Sequence, residues 1–255
     1  MFNNFSTISF NIEHQIAHLK LNRPHKLNAI NSAMLQELSK AIDYLEENKE
    51  IKCLIISGAG KKAFSTGADL KELQKLTSER AKELSIKGQQ LFSKIENMSK
   101  PVLATITGYA LGGGLELAMA CDFRVALVGS QFGFPETKIG LIPGWGGTVR
   151  LPLIVGEKNA KQFITSTDYI NAKEAFKIGL IDNVFLLEDF ETKTKAMAKI
   201  LCKSPPSTGK HMKKKMAANS SNEKFNKETQ VFFHRFSLLE TKNKLNYLTE
   251  QRNKK

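Results

Sequence analysis

The chain has 255 residues, of which 41% are hydrophobic and 25% charged, enough apolar matter for a sizeable core and too much for wholesale disorder. Its formal charge of +13 is uneven: residues 191–255 hold 16 Lys/Arg against 5 Asp/Glu, while the first 190 residues hold 22 against 20. No apolar stretch reaches the roughly 20 residues of a membrane-spanning helix, and Cys53, Cys121 and Cys202 are too few and too scattered for a disulfide framework or a CxxC site. The five histidines form no HExxH pair, and residues 1–5 do not read as a secretory signal. A soluble, reduced, metal-free cytoplasmic protein is expected, with one large domain or a domain plus an appendage.

In chain order, residues 6–12 and 15–21 read as short strands joined by a turn at Glu13-His14. Met34, Leu35, Leu38, Ile42 and Leu45 recur at helical spacing, with Ser32 available as the N-cap. Residues 52–57 contain a continuous apolar run typical of a buried strand. A second amphipathic helix is expected over residues 79–98, before Pro101, and another buried strand over residues 102–106. This alternation implies parallel strands joined by crossover helices. Helical periods follow at residues 172–178, 190–202 and 223–248, with a break at Pro205-Pro206. The soft boundary falls between residues 190 and 205, which divides the chain into a core of residues 1–195 and a C-terminal helical region of residues 196–255.

Four segments can carry chemistry. Gly58-Ala59-Gly60-Lys61-Lys62-Ala63 formally fits the dinucleotide fingerprint G-x-G-x-x-A, but Phe64-Ser65-Thr66-Gly67 follows where a helix should open to hold a pyrophosphate. Next, the small residues around Ala68 allow a ligand close to the backbone, and Asp69 can cap a helix starting near Leu70; taken alone, an ordinary turn and N-cap is the favoured reading. Third, Gly112-Gly113-Gly114 precedes an apolar helix. Its N–H groups there are unshielded, at the positive end of the helix dipole, a suitable place for developing negative charge on oxygen. Glu116, in the first turn of that helix, also fits simple dipole compensation. Fourth, Glu136 lies between Pro135 and an apolar segment, where partial burial would raise its pKa, and Gly144-Trp145-Gly146-Gly147 can pass its backbone close to a ligand before a helix starts at about Thr148. A loop carboxylate and a tight turn remain the bland alternative.

Taken together and in order, these segments resemble the enoyl-CoA hydratase/isomerase, or crotonase, superfamily over nearly the whole chain. Asn22-Arg23-Pro24-His25-Lys26-Leu27-Asn28-Ala29 is similar to the family's N-terminal segment, and Gly67-Ala68-Asp69, Gly112-Gly113-Gly114 and Ile142-Pro143-Gly144 fall in register. The resemblance implies an α/β fold, a spiral of ββα units with C-terminal helices used in trimerisation, the trimers often pairing into hexamers. It implies an acyl-CoA thioester as substrate and no cofactor, coenzyme A being part of the substrate, in a reaction of the fatty acid β-oxidation type. Carried over by residue, it places the oxyanion hole at the N–H groups of Ala68 and Gly113 and the two hydratase carboxylates at Glu116 and Glu136. Keeping both favours hydration over isomerisation, since the simpler isomerases generally keep only the second. Substrate contacts are implied at Lys26, Thr66, Gly67, Asp69, Leu70, Lys71, Gly112, Gly144 and Trp145, with Lys26 and Lys71 toward the coenzyme A phosphates.

Two departures from the family pattern stand out. Thr66 replaces a common alanine, and Leu248-Thr249-Glu250-Gln251-Arg252 lacks the lysine of the usual Phe-x-x-Lys-Arg pattern. The same-fold alternatives are an enoyl-CoA isomerase or another acyl-CoA lyase. The alternative from another class is an RNA-binding protein using the basic C-terminal region, including Lys213-Lys214-Lys215 and Lys254-Lys255. No nucleic-acid-binding motif accompanies that charge, and Phe232, Phe233 and Phe236 read as a helix core stripe rather than a base-stacking platform.

Overall fold

The computed structural model describes residues 5–203 and 222–253. Pro205-Pro206, Lys213-Lys214-Lys215 and Lys254-Lys255 lie outside the described residues. The fold rests on two sheets that share their construction units. A hairpin of β1 (Ile8–Glu13) and β2 (Ile16–Leu21) opens the chain, and α1 (Ser32–Glu47) follows. Three strand pairs come next: β3 (Cys53–Gly58) with β4 (Ala63–Ser65), β5 (Val102–Ile106) with β6 (Tyr109–Leu111), and β7 (Phe123–Leu127) with β8 (Gln131–Gly133). The first member of each pair enters a six-stranded sheet, β1-β2-β3-β5-β7-β10, closed by β10 (Asn183–Phe185). The second members enter a four-stranded sheet, β4-β6-β8-β9, closed by β9 (Ile170–Asn171). Each pair therefore advances both sheets by one parallel strand, which is the ββα spiral that the resemblance implied.

Parallel strands need both faces covered. Leu54, Ile56, Val102 and Ala104 point into the main core with α1 and α3 (Ser78–Glu96), whereas Cys53, Ile55, Leu103 and Val125 pack against Ala198 of α8 (Leu187–Leu201). That two-sided burial is why these strands read as continuous apolar runs. The short α2 (Leu70–Leu73), the glycine-led α4 (Gly113–Ala120), α5 (Gly147–Val155), α6 (Glu157–Ser166) and α7 (Ala172–Lys177) link the units. The C-terminal helices are α9 (Asn222–Ser237) and α10 (Leu239–Asn253). The former lies along α3 of its own chain.

Several local expectations shift. The hairpin turn is His14-Gln15, with φ of 48° and 68°, because a right-twisted two-residue turn needs positive φ at both central positions. The N-cap of α1 is Asn31, which accepts from the Met34 amide at 3.0 Å; the Ser32 hydroxyl instead donates to Glu72. The helical period expected over residues 190–202 begins at Leu187, and α5 begins at Gly147. The stretch expected as one helix over residues 223–248 is two. Arg235 donates to the Gly140 carbonyl at 2.6 Å, and the Thr241 hydroxyl donates to the same oxygen, so the chain turns at Leu238 around this point. The turn lets Phe232, Phe236 and Leu245 meet Leu73 and Ile139 in a second apolar cluster.

Candidate active site

The N-terminal segment builds one wall. Asn28, only 1% exposed, donates to the carbonyls of Ala59 and Ala63 at 2.9 and 2.8 Å and accepts from the Arg23 amide at 3.0 Å. The Ser65 hydroxyl donates to the Asn28 carbonyl at 2.8 Å and accepts from the Gly67 amide. These bonds lock the turn preceding Ala68. A parallel bridge to Ile30 then uses the Gly67 carbonyl and the Asp69 amide, which leaves the Ala68 N–H outside the bridge. Asp69 caps α2 through the Lys71 amide and pairs with Arg23 at 2.9 Å. Its side chain is therefore spent on architecture.

The glycine-rich entrance to α4 builds the opposite wall. Gly67, at φ +84°, lies so close that an added Cβ would sit 2.7 Å from the Gly113 nitrogen. The two main-chain segments thus meet at Gly67, and no side chain fits between them. Gly112, at φ +50°, is fixed on the other side, since a Cβ there would fall 2.1 Å from Glu136 Oε1. Both positions demand glycine for conformation and for contact. Ala68 and Gly113 accordingly line one cavity, of about 80 Å3, together with Glu116, Glu136, Gly144 and Trp145.

Both carboxylates are buried. Glu116 is 1% exposed, and its Oε1 accepts from the amides of Trp145 and Gly147, each at 2.7 Å. Burial raises its pKa well above the ordinary carboxylate range, and the neighbouring charges of Glu228 and Glu136 push the same way; the two amides oppose them. Glu136 sits at the start of a tight turn, Pro135–Ile139, which delivers its side chain beside Gly112. Burial raises its pKa to about 7, against the lowering effect of its own amide and that of Gly113. Its Oε2 is buried without a hydrogen-bond partner. Two acids with raised pKa values facing a row of main-chain donors can hold a proton and a base at neutral pH.

Of the residues marked from sequence, Thr66, Leu70, Gly144 and Trp145 join this cavity wall, whereas Lys26, Gly67, Asp69, Lys71 and Gly112 do not. Gly67 and Gly112 act behind the wall, and Lys26 and Lys71 are exposed, Lys71 next in the chain to the wall residue Leu70. Sequence reasoning missed that Phe232 and Leu248 of the C-terminal helices line this cavity together with Leu84. It also missed Glu228 of α9, which is 4% exposed. The signal was available: Glu228 occupies the apolar stripe of α9, one turn before Phe232 and two before Phe236.

With the geometry in place, the chain can be set beside known proteins. The enoyl-CoA hydratase/isomerase family matches residues 11–255. A crotonyl-CoA hydratase of Syntrophomonas wolfei is 44% identical over 194 residues, 76% of this chain and 75% of that protein. A short-chain-enoyl-CoA hydratase of Clostridium acetobutylicum is 39% identical over 194 residues, 76% of this chain and 74% of that protein. Among solved structures, an enoyl-CoA hydratase from Bacillus anthracis superposes with a TM-score of 0.81 at 30% identity, covering 98% of this chain and 97% of its own. The chain belongs to the enoyl-CoA hydratase/isomerase family.

Proposed function

We propose that this protein adds water across the C2=C3 bond of a short-chain 2-trans-enoyl-CoA, with Glu116 and Glu136 as its acid–base pair. Its family and the hydratases among its relatives make it an enoyl-CoA hydratase, a lyase acting on an acyl-CoA thioester. The observation that carries the assignment of residues is that two buried carboxylates line the same cavity as the backbone of Ala68 and Gly113. The thioester oxygen binds between the two N–H groups. Glu116 takes a proton from water as its oxygen bonds to C3, and the π electrons move onto the thioester, whose enolate oxygen the two amides stabilise. Protonated Glu136 then delivers its proton to C2. Removing one such amide donor typically costs about 2.7–4 kcal/mol of barrier.

Chain length follows from the space available. A cavity of about 80 Å3 is roughly half the ~150 Å3 that admits a six-carbon ring in an apolar protein interior, which suits a four-carbon acyl group. Lys26 and Lys71, both exposed, are suited to the coenzyme A phosphates. Exposed Leu153 and Val231 flank a groove between α5, α6 and α9 that would be covered in a homotrimer, measurable as a threefold mass by light scattering.

The test is crotonyl-CoA hydration by Glu116→Gln and Glu136→Gln. Each is expected to lose about 10²–10⁴-fold in kcat while still binding acyl-CoA. Near-normal turnover by both variants would remove the assignment.

A further inference from the structure

Four consecutive amides, those of residues 145–148, are divided alternately between two buried carboxylates. Trp145 and Gly147 donate to Glu116 Oε1, while Gly146 donates to Glu228 Oε1 at 2.6 Å and Thr148 to Glu228 Oε2 at 2.9 Å. The Thr148 hydroxyl also donates to Glu228 Oε2, and Gln89 Nε2 donates to Oε1 at 3.0 Å. Gln89 is held in turn by the Thr229 hydroxyl, which donates to Gln89 Oε1 at 3.0 Å. Every partner of Glu228 is a donor, the set that suits an ionised carboxylate. Nothing in the hydration steps above uses this group, although its burial carries a large desolvation cost.

We propose that Glu228 is a positioning residue for the hydration step: it grips alternate amides of the 145–148 backbone, so that the other two converge on one oxygen of Glu116 and leave its second oxygen for water. The inference rests on the reading of Glu116 as the base. Glu228 has a second effect through charge. Glu116 faces Glu228 from α9 and Glu136 from the 135–139 turn. The same backbone also holds Arg150 of α5, whose guanidinium donates to the Trp145 carbonyl at 3.0 Å and is paired with Glu96 of α3 at 2.9 Å. Lys224 and Lys227 of α9 are exposed. Burial raises the pKa of Glu228 while its donors from Thr148, Gln89 and Gly146 hold it down, and in its ionised form its charge keeps Glu116 a stronger base, at a higher pKa.

The experiment compares wild type, Glu228→Gln and Thr148→Val in crotonyl-CoA hydration across pH, with thermal melts as a control for folding. Wild-type activity and its loss in Glu116→Gln test the underlying reading separately. Glu228→Gln is expected to lower kcat by about 10- to 100-fold with little change in KM. The acid limb of its pH profile should move to lower pH by about half a unit or more, because removing the negative neighbour eases ionisation of Glu116. Thr148→Val, which takes one donor from Glu228, should move both in the same direction by less. If Glu228→Gln does not fold, Thr148→Val and Gln89→Leu decide the matter by the same limb. An acid limb that stays in place in the folded variants, with or without a fall in kcat, overturns the proposal.

Discussion

Glu136 shows how a single residue can trade stability for chemistry. Its carboxyl is neutral below pH 4.5 in both folded and unfolded chains, but in the fold it resists ionisation up to about pH 7. Between those values the folded protein holds a proton that the unfolded chain has lost. The stability associated with the neutral acid is therefore fully present below pH 4.5 and falls away as pH rises through about 7. Glu136→Gln removes the titration. At pH 8 it should be more stable than wild type by roughly 1–3 kcal/mol and melt at higher temperature, with the difference closing toward pH 4; equal melting curves at both pH values would count against a buried, proton-holding Glu136. Glu116 is raised by the same cause, burial, and each carboxyl is opposed by two main-chain amides, those of Trp145 and Gly147 for Glu116 and its own and that of Gly113 for Glu136.

At the scale of elements, the site depends on where helices begin. α4 and α5 enter through glycines, and no side chain caps them, so their first amides remain for ligand or carboxylate. α1, which has no catalytic duty, is capped in the ordinary way by Asn31. Asn31→Ala should cost about 1 kcal/mol in urea unfolding without altering KM. Its far end is sealed differently. The buried ammonium of Lys100 donates to the carbonyls of Leu45, Glu46 and Asn48, so the last turn of α1 is satisfied from the bend that precedes β5. Asp122 is likewise architectural, accepting from the Val102 amide at 2.7 Å.

At the scale of the whole molecule, the C-terminal helices complete the pocket of their own chain. Phe232 of α9 and Leu248 of α10 close the cavity against Leu84 of α3. Leu248→Ala should therefore shift preference toward longer enoyl-CoA chains, read as a rise in kcat/KM for six- to eight-carbon substrates relative to crotonyl-CoA. An unchanged ratio would mean the acyl chain does not end there. No helix among the described residues is long and apolar enough to cross a membrane.

Much of this was legible in the chain because some residue types have few alternatives. Continuous apolar runs mark strands covered on both faces, glycines at strand-to-helix junctions mark close backbone approach, and the motifs around Ala68, Gly113, Glu116 and Glu136 appear in the order in which the cavity uses them. The N-cap of α1 and the hairpin turn were misplaced by one residue, since neighbouring polar side chains can exchange such roles at little cost. Glu228 and Leu248 were invisible for a different reason. Periodicity places a residue on the inner face of a helix, but only the folding of α9 and α10 back over α3 and the 145–148 turn decides what that face meets. Local chemistry was thus written in the sequence, while distances between residues a hundred positions apart, and the raised pKa values that depend on them, came from burial that exists only once the chain has packed.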